Sequence, residues 1–177
     1  MGGLLTAHLL FSRMDTMQTF LPYAAKRDSL DALDNKRLNK QILESYQILN
    51  ILTGMSKSNA WRNHPAVLMW KGAEAELYRY AMTAVCLADA RGIKVDKNKQ
   101  NIQKLSRSRK SLIWEDDTPK WAINPTTIKL VTTTHQANLY KKDPIYYEKF
   151  ADSVNSKYNK PCCEGCQYYW PTHKEKV

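Results

Sequence analysis

Glycine is scarce, at 6 of 177 residues. That excludes a Gly-rich phosphate loop and a turn-dense β-sandwich, which need glycine where backbone must turn sharply or approach a ligand. No apolar run reaches the roughly 18 residues of a membrane helix, so no membrane partner is expected. Acids are few, 17 against 27 Lys and Arg. Only four cysteines occur, three of them within residues 162–166, which does not resemble a secreted disulfide framework and points to a reducing, cytoplasmic setting. The opening residues lack the charged n-region and small-residue cleavage site of a secretory signal. What is present is a globular composition, 43% hydrophobic and 25% charged, long enough for one domain with its own core. The formal charge of +10 makes nucleic acid the leading class of partner. A monomer is expected.

The start, Met1-Gly2-Gly3-Leu4-Leu5-Thr6, fits the pattern for N-myristoylation. Met14 and Met17 are alternative starts, so residues 1–16 read as an extension ahead of a helical domain over 17–150 and a Cys-containing tail over 151–177. Residues 18–23 read as an extended segment ending at Pro22. A helix is expected over 29–53, capped by Ser29 or Asp31, with Leu38, Ile42, Leu49 and Leu52 as its apolar stripe. A second runs from Pro65 to Arg91, where Ala66, Trp70, Ala73, Leu77, Ala81, Ala84 and Ala88 step by three or four. Residues 91–110 place eight basic residues against one acid, Asp96, and read as a short helix with a mobile loop. A last helix covers 126–142. With no strand pattern, the expected fold is all-α: a single compact domain of three or four helices, an extended N-terminal segment and an irregular tail.

Several groups carry chemistry. Arg37, Lys40, Glu44 and Gln47 share one helix face. Glu44 is turned about 200° from Ile42, away from the stripe, so it reads as a carboxylate ringed by cations and ionised at neutral pH, suited to stabilising a positive sugar carbon. The bland alternative is a surface Lys40–Glu44 pair. Trp61-Arg62-Asn63-His64-Pro65 opens a helix, where free N–H groups attract phosphate; alternatively Asn63 or His64 only caps it and Trp61 packs. Lys104, Arg107, Arg109 and Lys110 read as phosphate contacts or a solvated face. Tyr146 and Tyr147 stack on a base or belong to the core. Cys163-x-x-Cys166 with His173 has zinc-knuckle spacing, a weak signal beside free thiols or a disulfide. Cys86 reads as a buried small hydrophobe.

Three ordered segments resemble the pyrimidine-dimer DNA glycosylases of the phage endonuclease V type and their bacterial and phage relatives. They are Leu33-Asp34-Asn35-Lys36-Arg37-Leu38 with Lys40-Gln41-Ile42-Leu43-Glu44; Trp61-Arg62-Asn63-His64-Pro65-Ala66-Val67 through to Ala90-Arg91-Gly92; and His135-Gln136-Ala137-Asn138-Leu139 with Lys142-Asp143-Pro144 and Tyr146-Tyr147. With Gln18-Thr19-Phe20-Leu21-Pro22 they span most of residues 17–150.

The resemblance implies an all-α domain that binds double-stranded DNA at a cyclobutane dimer, bends it and displaces a base. It implies an N-terminal amine that attacks sugar C1′, an imine, and strand cutting by elimination, with no cofactor. Glu44 matches the family's essential glutamate. Arg37, Lys40, Arg62, Asn63, His64, Lys142, Tyr146 and Tyr147 fall in the matching segments as DNA contacts. The departure is the sixteen residues ahead of Met17. They leave three nucleophiles open: an amine of Met17 or Gln18, a lysine such as Lys36 or Lys40, or water. Two other functions stay open as well: excision of another modified pyrimidine, and non-catalytic DNA binding on the same scaffold.

Overall fold

The computed structural model describes residues 17–172 apart from 59, 115, 116, 164 and 165. The extension with its myristoylation pattern and Met14, and the ligand candidate His173, lie outside the described residues. The described residues form α1 (Lys26–Asp31), α2 (Asn35–Leu52), α3 (Pro65–Leu68), α4 (Glu74–Ala90), α5 (Asp96–Ser108), α6 (Ser111–Trp114) and α7 (Pro125–Lys142), with 3-10 turns at Lys120–Ala122 and Glu148–Asn155 and no strand. The fold is all-α. The four long helices α2, α4, α5 and α7 are the three or four expected; the short ones come from breaks within the expected spans.

The first break separates α1 from α2. Asp34, not Ser29 or Asp31, caps the main helix, its side chain accepting from the Arg37 N–H at 2.9 Å. Ser29 instead closes the turn before α1, its hydroxyl donating to the Tyr23 carbonyl and accepting from the Tyr23 N–H. The second break divides the Pro65–Arg91 span. Gly72 takes φ +79° between α3 and α4, a conformation that costs other residues a clash between Cβ and backbone. All seven stepping residues of that span are nonetheless buried. The core rule survives the break because the chain resumes its helix on the same side.

One expectation about a single residue fails. Cys86 is exposed, because it lies about 200° around α4 from Ala84 and Ala88 on the buried face. The 91–110 stretch holds a regular 13-residue helix, Asp96–Ser108, packed by Ile102 and Leu105.

The extended segment from Met17 to Pro22 runs through the middle of the bundle. It has no strand to pair with, so side chains satisfy its backbone. The Phe20 N–H donates to Gln41 Oε1 at 2.7 Å and the Leu21 N–H to His135 Nδ1 at 2.8 Å. The Phe20 carbonyl accepts from the Tyr80 hydroxyl at 2.9 Å, and the Pro22 carbonyl from Gln136 Nε2 at 2.7 Å. Trp70 Nε1 donates to the Thr19 hydroxyl at 2.9 Å. The segment is thus held by α2, α4 and α7 at once.

The tail folds back onto α7. Asn138 Nδ2 donates to the Gln167 carbonyl, and the Tyr169 N–H donates to the Thr134 hydroxyl. Tyr168 and Trp170 are buried, the first ring 5.0 Å from His135 and the second 6.0 Å from His64.

Candidate active site

The buried segment lies across α2 at the turn that carries Glu44. This changes the carboxylate's surroundings. Helical geometry alone turns Glu44 away from the apolar stripe, but Met17 and Gln18 cover that side, and Glu44 is only 4% exposed. Its Oε2 accepts from Gln41 Nε2 at 3.1 Å, its Oε1 lies 3.4 Å from Lys40 Nζ, and it accepts a backbone hydrogen bond from Gln18. Burial raises its pKa to about 7, only partly opposed by Lys40 and the hydrogen bonds. The expectation of a carboxylate fully ionised at neutral pH is therefore corrected: desolvation outweighs the neighbouring cation. Near pH 7 the group is divided between both forms, as a group that takes and returns protons requires.

Gln41 is the residue the sequence reading passed over. Its Nε2 donates to both the Gln18 carbonyl, at 3.3 Å, and Glu44; its Oε1 accepts from Phe20 N–H and from the Tyr80 hydroxyl at 2.9 Å. A buried amide one turn before a buried acid was the available signal.

Two clefts flank this point and share Lys40 and Leu43. The first, about 580 Å³, is lined by Gln18, Phe20, Lys36, Arg37, Lys40 and Lys142 among others, with no carboxylate in its lining. The second, about 410 Å³, is lined by Met17, Lys40, Glu44 and Trp61 among others. The structure therefore brings together Met17, Gln18, Arg37, Lys40, Glu44 and Lys142 from the sequence-predicted set. Lys36, offered there only as a substitute amine, joins them.

The remaining predicted residues are placed elsewhere. Arg62 and Asn63 are exposed and line a separate hollow of about 310 Å³ beside Gly54. His64 is 5% exposed, and its Nδ1 accepts from the Ala66 N–H at 3.1 Å, so it caps α3. That helix has four residues, too few to build the dipole on which the phosphate-binding reading rested. Trp61 packs 5.2 Å from His64. Tyr147 is fully buried, its hydroxyl donating to Asp34 Oδ2 at 2.6 Å and its ring 5.2 Å beneath the Arg37 guanidinium. It is a core residue and is not free to stack on a base; Tyr146 beside it is 49% exposed. The Asp34 carboxyl is held below its usual range: hydrogen bonds from Tyr147 and Arg37 outweigh its burial.

The basic stretch is less uniform than its count suggests. Arg91 donates to the carbonyls of Leu33 and Asp31, Lys99 pairs with Asp89 at 2.7 Å, and Arg109 donates to the Thr53 carbonyl at the end of α2. Those three cations brace the fold: acids meet Arg91 and Lys99, and a helix-end carbonyl meets Arg109. Lys104, Arg107 and Lys110 are exposed and line neither cleft. In the tail, Cys163 and Cys166 are joined by a disulfide, while Cys162 beside them is half-buried and outside that bond. Among the described residues no helix is long and apolar enough to cross a membrane.

Residues 17–101 match the family model described as pyrimidine dimer DNA glycosylase. The match takes in Glu44, Gln41 and the Arg62–Arg91 segment; the segment from His135 lies beyond it. No curated protein and no solved structure matches the chain. Residues 17–101 are thus similar to the pyrimidine dimer DNA glycosylase family.

Proposed function

We propose that the protein is a DNA repair glycosylase that excises pyrimidine dimers and then cuts the abasic strand, with Glu44 as its acid–base residue. The observation that carries this reading is the position of Glu44: buried beneath the Met17–Gln18 segment, on the wall of one cleft, next to another lined by four cations. Phosphates on Lys36, Arg37, Lys40 and Lys142 fix the register of a duplex, which carries affinity without selectivity. The family match supports the substrate class.

In the 177-residue chain, Lys40 is the amine beside the acid. It passes a proton to Glu44, and its Nζ attacks the sugar C1′. The C1′–N bond breaks, and the base leaves with the electron pair and takes up a proton. The ring opens at O4′, which takes the proton held by Glu44, and the C1′–Nζ bond becomes an imine. Glu44 then removes a C2′ proton, the C3′–O bond breaks, and the strand is cut. Water hydrolyses the imine and restores Lys40. In a chain that starts at Met17, the main-chain amine of that residue supplies the nucleophile at the second cleft.

A duplex with a single dimer tests both roles. Glu44→Gln lowers cutting by roughly 100-fold or more, the usual weight of a positioned acid–base group. Equal cutting by Glu44→Gln and wild type overturns the assignment of the acid. Borohydride traps an imine with the wild-type chain and not with Lys40→Gln; trapping that survives this change but is lost on blocking the N-terminal amine moves the nucleophile to the chain start.

A further inference from the structure

We infer that Cys162, Cys163 and Cys166 form a thiolate site for a soft divalent cation, zinc by preference, once the Cys163–Cys166 disulfide is reduced. The three sulfurs all lie within 4.8 Å of one another. Zinc–sulfur bonds of about 2.3 Å in tetrahedral array separate ligand sulfurs by roughly 3.8 Å, so the three sulfurs already lie near the spacing that one ion requires. The donor set is all sulfur, which selects zinc over the oxygen-seeking magnesium and calcium.

A second observation points the same way. The Cys162 sulfur accepts a backbone hydrogen bond from Trp170. N–H···S bonds of this kind orient thiolates and neutralise part of their charge in metal–sulfur sites. They also tie the cluster to the strand of chain that enters the core: the Cys162 N–H donates to the Tyr168 carbonyl at 3.3 Å, and Tyr168 and Trp170 are buried. An ion here fixes the turn that docks these two rings beside His135 and His64. It is a structural site, remote in role from the acid at Glu44, and it does not depend on the glycosylase reading.

The chemistry balances simply. An external dithiol gives two electrons and two protons to the Cys163–Cys166 bond and becomes a disulfide itself; the two new thiols and Cys162 lose protons to solvent as the ion binds. Three described sulfurs leave a fourth position for solvent or another side chain.

Metal analysis of the full chain, purified with zinc under a dithiol reductant, tests this. About one zinc per chain is expected in the reduced protein and essentially none in the oxidised protein, whose Cys163 and Cys166 sulfurs are bonded to each other. Cobalt loading of the reduced wild type gives a sulfur-to-cobalt charge-transfer band that Cys163→Ser with Cys166→Ser abolishes. Less than about 0.1 zinc per reduced chain, equal uptake by the oxidised chain, or a wild type without the cobalt band overturns the site. The wild-type cobalt reading decides the matter even where the serine variants fail to fold.

Discussion

The Gln41 amide, three residues before Glu44 on α2, donates to the Glu44 carboxylate at 3.1 Å and to the Gln18 carbonyl at 3.3 Å. One side chain therefore sets the acid and the segment that buries it. Neither can shift without breaking a bond to the other's holder.

Gln41→Leu removes this clamp while keeping the volume. Phe20 N–H loses its acceptor in the core, and the Glu44 carboxylate loses a donor. The expected cost is about 2–4 kcal/mol, the scale of buried polar groups left unpaired. Urea denaturation reads the loss, and hydrogen exchange reads faster opening at the Phe20 N–H than at α4. A variant as stable as wild type, with that amide still protected, contradicts the clamp.

Glu44 costs the fold stability in a defined pH window. Its pKa is about 7 in the folded protein against an ordinary 4.5. Below pH 4.5 both states hold the proton. From 4.5 to 7 the unfolded chain releases it and the folded chain keeps it, so stability falls as pH rises. Above 7 the full penalty, on the order of 3 kcal/mol, is in place. Glu44→Gln therefore raises the melting temperature at pH 8 and leaves it nearly unchanged at pH 4. A variant that melts lower than wild type at pH 8 refutes burial as the source of the shift.

His135 works in the opposite sense. Full burial drives its pKa to about 3, below the ordinary 6.5, and its Nδ1 must stay unprotonated to accept from Leu21. Stability is complete above pH 6.5 and drains away as the pH falls toward 3, because the unfolded chain binds a proton that the folded one refuses. His135→Asn offers Oδ1 in place of Nδ1. Its denaturation midpoint is expected to be lower at pH 7 but to decline less between pH 6.5 and 3 than that of wild type. Parallel declines in the two proteins would sink this assignment.

The cleft lysines are expected to hold DNA by counterion release. Lys36→Gln with Lys142→Gln removes two of the four cations of the first cleft. The slope of log K against log salt becomes shallower by roughly 2, since each phosphate contact contributes about 0.9. The same charge change at Lys99 and Arg91, which are occupied by Asp89 and by Leu33 and Asp31, moves stability more than the slope. Fluorescence anisotropy across salt concentrations separates the two pairs.

Much of this architecture is legible in the chain. Helical spacing finds Leu77, Ala81, Ala84 and Ala88 on the buried face of α4, and Pro125 with Lys142 bounds α7 within a residue of the expected 126–142. What spacing cannot see is what lies against a face. The wheel turns Glu44 outward correctly, yet a segment twenty-odd residues earlier in the chain covers it, and its proton affinity changes with that cover. Spacing leaves Tyr147 open between base and core, and the basic stretch between phosphate and solvent, for the same reason. Asp34 and Asp89, on other elements, meet Tyr147 and Lys99 only in three dimensions. The family motifs mark the turn of α2 that carries Glu44, but they do not reveal that Gln41 organises it.

The threaded segment has a further consequence for when the protein becomes active. Its partners come from residues 41, 80, 135 and 136, so its last anchors are synthesised more than a hundred residues after it. A nascent or partly folded chain lacks the cover that gives Glu44 its proton affinity. Assembly of the surroundings of Glu44 is thereby tied to completion of the bundle, and a chain that has not finished folding leaves this carboxyl uncovered.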